Sequence, residues 1–182
     1  RTDGPSVQGT LNYMGEMFGR LPRTDAKIAF LVLHETAEVG VVEHYIQSPD
    51  RRWLCDGVAD YDAWRTLRNL HGEKKAKEIY DQEGLRAAFA DLRGQVNLRA
   101  WPAVENQPDT LQATRLNEAH YVFATQAVFL MHARAGDDIL PRFFRELNLT
   151  PRRQVTMATV DAAWKKLAGT ELDVLLAAAL AD

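Results

Sequence analysis

The stretch 25–47, DAKIAFLVLHETAEVGVVEHYIQ, decides the architecture. Asp25 stands where an N-cap belongs, Ile28, Leu31, Val32, Val39, Val42 and Ile46 recur at helical spacing, and Pro49 lies just past the end. That pattern predicts one long apolar helix. His34, Glu35 and Glu38 interrupt it near its middle, where three ionisable groups are costly to bury without partners. At about 100° per residue, His34 and Glu38 lie about 40° apart on one face, and Glu35 points about 100° away from His34. Two ligand atoms then stand side by side with an acid next to them. Taken alone, a buried His–Glu pair bonded to itself is the plainer reading of these residues.

Working outward, a second helix is predicted over 52–70, stopped by Gly72, and a third over 73–93, split at Gly84. Residues 94–113 carry Gly94, Pro102, Asn106 and Pro108 and read as a long loop. Helix resumes over 114–135, ended by Gly136, and shorter helices follow over 138–147, 157–168 and from 170 to the C-terminus, separated by Pro151 and Gly169. Residues 1–24, with Gly4, Pro5, Gly9, Gly15, Gly19 and Pro22, read as a loop-rich entry ahead of a single helical domain over 25–182. No segment alternates with a period of two, so the fold class is mainly α, of seven or eight helices with little or no β-sheet.

A chain of 182 residues suits one well-cored domain. Hydrophobic residues at 46% and charged residues at 26% match a globular protein rather than a disordered one. With 22 basic against 25 acidic residues and a net charge of -3, the chain lacks the basic excess that a nucleic-acid partner demands. Cys55 is the single cysteine, which excludes an internal disulfide and any multi-cysteine metal site. No apolar run reaches the roughly 18–20 residues of a membrane span. The chain reads as soluble, and because it starts at Arg1 rather than Met, a removed export signal or a missing upstream segment stays open. Localisation and oligomeric state are not legible.

The segments His34-Glu35-Thr36-Ala37-Glu38 and Arg52-Trp53-Leu54-Cys55-Asp56-Gly57-Val58-Ala59-Asp60-Tyr61 together resemble the gluzincin type of zincin metallopeptidase. That family carries HExxH on one helix and WLxEGxAxY on the next. Glu38 stands in place of the second His, and Asp56, 18 residues later, in place of the third-ligand Glu. Tyr121, 65 residues after Asp56, resembles the oxyanion-stabilising tyrosine of related aminopeptidases. The resemblance covers about 26–182, with its specific signal at 34–61, and implies the helical, C-terminal half of a zincin domain. The residue-level alternatives are a plain amphipathic helix with Trp53, Val58, Tyr61 and Trp64 as core, and a half-buried packing role for Tyr121.

The resemblance implies zinc, or another divalent metal, held by His34, Glu38 and Asp56, with Glu35 as general base, Tyr121 as oxyanion donor and a peptide or protein substrate. Two carboxylate ligands formally cancel a +2 ion, so bound water is less acidic than in a two-His, one-Glu site and activity shifts to higher pH. Two outcomes follow: a metal-dependent peptide hydrolase, or a non-catalytic peptide-binding or assembly module whose former ligands are joined by hydrogen bonds. A di-iron carboxylate bundle needs a second ExxH motif, which this chain lacks. Among the other histidines, His44 and His71 read as helix-end residues and His120 and His132 as exposed, and Cys55 as a small buried residue.

Overall fold

The computed structural model describes residues 25–39, 50–102, 110–147 and 155–181. Residues 1–24, expected to be loop-rich, the stretch 40–47 with His44, residues 103–109 of the expected loop, and Pro151 lie outside the described residues. Eight α-helices and one 3-10 turn make up the described regular structure, and no strand occurs among these residues. They are α1 (Asp25–Ala37), α2 (Arg52–His71), α3 (Glu73–Ile79), α4 (Gln82–Ala88), a 3-10 turn (Ala90–Gln95), α5 (Leu111–Ala135), α6 (Ile139–Leu147), α7 (Met157–Ala168) and α8 (Leu172–Ala179). The mainly α fold class is therefore observed.

The structural centre is α2, not the apolar α1. It packs against α1 on one side and α5 on the other, so nine consecutive residues, 53–61, are all buried. A helix enclosed all round has no solvent stripe, and two of the nine, Asp56 and Asp60, are carboxylates. By contrast α1 meets the body through one face: His34 and Ala37 are buried while Val32 is 39% exposed. After Ala37 the helix widens into a π turn over 38–39, a feature often found at functional sites.

The approach of α2 to α5 depends on Gly57. A Cβ there would stand 2.6 Å from the Ala124 carbonyl oxygen and 2.8 Å from its carbon, and backbone cannot swing aside. Gly57→Ala is therefore expected to destabilise the fold by about 1–2 kcal/mol, the overpacking cost outweighing the better helix propensity of alanine. Urea unfolding checks the sign, and a stabilised variant would show that the two helices can part freely.

Capping follows the sequence. Thr110 and Thr156 accept backbone N–H bonds from Ala113 (3.1 Å) and Thr159 (3.2 Å) at the starts of α5 and α7. Gly72, at φ 85°, ends α2 with its N–H on the Arg68 carbonyl. The predicted break at Gly84 is displaced: Gly84 lies inside α4, and the chain turns at Tyr80 and Asp81 instead. Tyr80 is extended there, so that its ring stacks on Phe30 (4.8 Å, 9°) and its hydroxyl reaches Asp60. That tertiary contact outweighs the modest cost of about 1 kcal/mol for glycine within a helix.

On the far side of α5, helices α6–α8 close the core around Trp164, Phe143 and Leu175, all fully buried. The described end of the long loop is anchored rather than loose, since Trp101 is 0% exposed and its indole N–H donates to Asn117 Oδ1 at 2.8 Å.

Candidate metal centre between α1, α2 and α5

Every polar side chain of the site comes from a helix face, or from a segment held against one, that the packing turns inward. His34, on the buried face of α1, is 7% exposed. Its Nδ1 donates to Asp60 Oδ1 at 2.7 Å, and its Nε2 faces Glu38 Oε2 at 3.3 Å. Because a carboxylate only accepts, the protonated ring donates from both nitrogens, and the neutral ring keeps its proton on Nδ1, where the contact is shorter. The other oxygen of Asp60 accepts from the Thr125 hydroxyl (2.8 Å) and the Tyr80 hydroxyl (3.3 Å). Four parts of the fold, α1, α2, the turn after α3, and α5, thus meet at one carboxylate.

One turn earlier on α2, Asp56 is 2% exposed and accepts from Arg52 Nε at 3.1 Å. Arg52 also donates through its other two nitrogens to the Pro102 carbonyl (2.8 Å) and the Tyr121 hydroxyl (2.9 Å). Its guanidinium lies 4.1 Å from the centre of the Trp101 ring and 5.5 Å from that of Tyr121. Tyr121 stands edge-on to Trp101 (4.7 Å, 90°), and its ring centre is 6.4 Å from that of His34. Cys55 is buried and contributes a weak thiol contact to Glu38 Oε1 at 3.8 Å.

Burial and neighbouring charges set the protonation states. Burial alone would lower the His34 pKa, but its hydrogen bonds to Asp60 and Glu38 outweigh that and raise it well above the usual value. Burial, followed by the nearby Glu38 charge, pushes the Asp56 carboxyl up to about 7 against the pull of Arg52 and His34. Burial and then Asp56 raise the Tyr121 phenol, so it stays protonated and able to donate. Burial and Asp60 raise Tyr80 likewise.

Both raised groups, Asp56 and His34, act on stability in the same direction. The folded state keeps a proton on Asp56 between about pH 4 and about pH 7, where the unfolded chain has released it, and on His34 above about pH 6.5. The stability they contribute is therefore present at low pH and lost as pH rises. The melting temperature is expected to fall from weakly acidic to alkaline pH. Asp56→Asn should flatten the lower part of that fall and His34→Gln the upper part; a profile unchanged in both variants would refute this assignment of the protons.

His34, Glu35 and Glu38 are the described side chains whose ligand atoms lie close together, all within 4.8 Å of one another. Two donors each about 2.0–2.1 Å from one tetrahedral ion stand about 3.3–3.4 Å apart, so the 3.3 Å between His34 and Glu38 fits a shared ion. A carboxylate on the far nitrogen of a ligating imidazole, as Asp60 is here, fixes its tautomer and orientation. Of the expected ligands, then, His34 and Glu38 stand together with Glu35, while Asp56 is buried nearby and engaged by Arg52. Tyr121 joins the same cluster through Arg52.

Sequence reasoning did not single out Asp60 or Arg52. The signal was present in the spacing: Arg52, Asp56 and Asp60 recur every four residues and so share one face of α2. His120 is not exposed as expected but 5% exposed, with Nδ1 on the Leu116 carbonyl (2.8 Å), Nε2 accepting from the Asn97 N–H (3.1 Å), and its ring against Trp101 (5.3 Å, 20°). Burial lowers its pKa and leaves it a neutral structural residue. His132 is part-buried and meets Asp137 at 3.0 Å, and His71 is exposed at the end of α2.

No family model, no curated protein and no solved structure matches this chain.

Proposed function

We propose that this chain is a metallopeptidase-like domain of gluzincin type that holds a divalent metal, zinc foremost, through His34 and Glu38 and hydrolyses peptides. One arrangement carries the proposal: Asp60 orients the His34 imidazole through Nδ1 so that Nε2 meets Glu38 at 3.3 Å, ligand spacing backed by an outer carboxylate. A divalent ion, when bound, supplies Lewis acidity at that face. Glu35, one residue along the helix from His34, takes a proton from the attacking water as general base. Tyr121, kept protonated by burial, donates to the developing oxyanion while Arg52 holds its oxygen.

A second reading is favoured by the Arg52–Asp56 pair at 3.1 Å. With Asp56 neutralised by a side chain, the domain is a non-catalytic peptide-binding or assembly module whose carboxylates are already partnered. Metal content after purification without added metal, followed by peptide hydrolysis from about pH 6 to about pH 10, separates the two. The hydrolase reading expects bound metal, an alkaline optimum, and a loss of about 10²–10⁴-fold in turnover for Glu35→Gln with metal retained. A protein that is metal-free and inert even after zinc addition would overturn the hydrolase reading and favour the module.

A further inference from the structure

Arg52 makes more polar contacts within the site than a surface cation on a helix would need. Its three guanidinium nitrogens each have an acceptor from a different place: Asp56 one turn along α2, Tyr121 on α5, and the Pro102 carbonyl ahead of α5. Its flat face is held against Trp101. The side chain is 17% exposed and that of Asp56 only 3%, and a carboxylate so enclosed requires a cation or a proton. Glu38 acts on Asp56 as a like charge from the α1 side, which strengthens that requirement.

We propose that Arg52 is the resident cation of this site, occupying Asp56 in the place a metal ion would take and releasing it only when Asp56 becomes a third ligand. The proposal rests on the reading of His34 and Glu38 as ligands. Arg52 and a divalent ion compete for Asp56, because an ion bound at the oxygen that accepts from Arg52 Nε at 3.1 Å would bring two mutually repelling cations to one carboxylate. Arginine fits this position chemically, since its planar fork binds a carboxylate and a phenol oxygen at once, keeps its charge at every accessible pH, and stacks on an aromatic ring. The same guanidinium ties Tyr121 to Asp56, so ion entry at Asp56 also frees the phenol.

Zinc titration calorimetry and zinc-dependent thermal shift on the full chain test this without reference to turnover. Arg52→Gln is expected to raise zinc affinity about tenfold or more, the scale on which changes around a ligand set move metal affinity. It should also enlarge the thermal shift produced by zinc. The gain should vanish in the Arg52→Gln, Asp56→Asn double variant. Unchanged affinity in Arg52→Gln, or a gain that persists in the double variant, overturns the proposal. If Arg52→Gln does not fold, Arg52→Met, which keeps the apolar stem and removes the charge, carries the same test: affinity above wild type that depends on Asp56 supports it, and equal affinity overturns it. His34→Ala separates this from the underlying function. Wild-type binding that needs His34, with no gain in Arg52→Gln, preserves the ligand pair and removes the role of Arg52. A gain in Arg52→Gln that is lost with His34→Ala, over a wild type that binds no zinc, supports the role of Arg52 and overturns metal-dependent hydrolysis by the unaltered chain, and no binding by any variant overturns both.

Discussion

Asp60→Ala is expected to cost the fold about 3–5 kcal/mol, the range for removing one partner of a buried ion pair. The carboxylate receives His34 Nδ1 at 2.7 Å, the Thr125 hydroxyl at 2.8 Å and the Tyr80 hydroxyl at 3.3 Å, and its residue is 6% exposed. Alanine leaves the imidazole N–H and the Tyr80 hydroxyl buried without that acceptor, whereas Thr125 still has the Tyr121 carbonyl at 2.9 Å. The raised His34 pKa should fall at the same time, since the Asp60 hydrogen bond is the largest influence raising it. Asp60→Asn keeps the shape and should cost less than alanine. Urea unfolding gives the stability and imidazole NMR titration the pKa; a loss below about 1 kcal/mol with the titration unmoved would mean that the carboxylate is not the hub of the site.

Trp101→Ala is expected to cost about 3–5 kcal/mol as a cavity in a packed aromatic cluster. The indole is fully buried against Arg52, His120 and Tyr121, and its N–H bonds Asn117. It is also the surface on which the Arg52 guanidinium rests. The loss should therefore be accompanied by weaker Arg52–Asp56 pairing. Trp101→Phe retains most of the packing and gives up the Asn117 hydrogen bond, for a smaller cost of about 1 kcal/mol. Equal effects of the two substitutions in chemical denaturation would show that the hydrogen bond, not the ring, carries the stability.

These two residues bind the site to the fold in different ways. Asp60 couples His34 on α1 to Thr125 on α5 through the enclosed α2, and Trp101 fastens the segment before α5 onto the same face of α2. Both depend on the close approach of α2 and α5 that Gly57 permits. The motif around Asp56 therefore combines a polar face that reaches both α1 and α5 with a small residue at the α5 backbone contact.

The helices were legible because their signals are local. Apolar periodicity and the glycines at 72, 136 and 169 mark where backbone hydrogen bonding runs and ends, each acting within a few residues, whereas the Thr110 cap starts α5 at Leu111, ahead of the expected start at 114. The pairing of His34 with Glu38 was legible for the same reason, being one helical turn. The break at Tyr80 was not, because it is set by a hydroxyl reaching Asp60, 20 residues away. Nor was the burial of His120 or Trp101, whose partners lie on a neighbouring helix or across the preceding loop.

By itself the sequence determined a helical chain carrying His34, Glu35 and Glu38 on one helix and three charged residues, Arg52, Asp56 and Asp60, along one face of the next. Only the tertiary structure decided which carboxylate serves which partner: Asp60 takes His34, and Asp56 takes Arg52. Spacing along a helix assigns a face but not a depth or a partner. Those follow from how closely α1 and α5 press on α2, since burial and the nearest opposite charge determine where each proton and each ion pair resides.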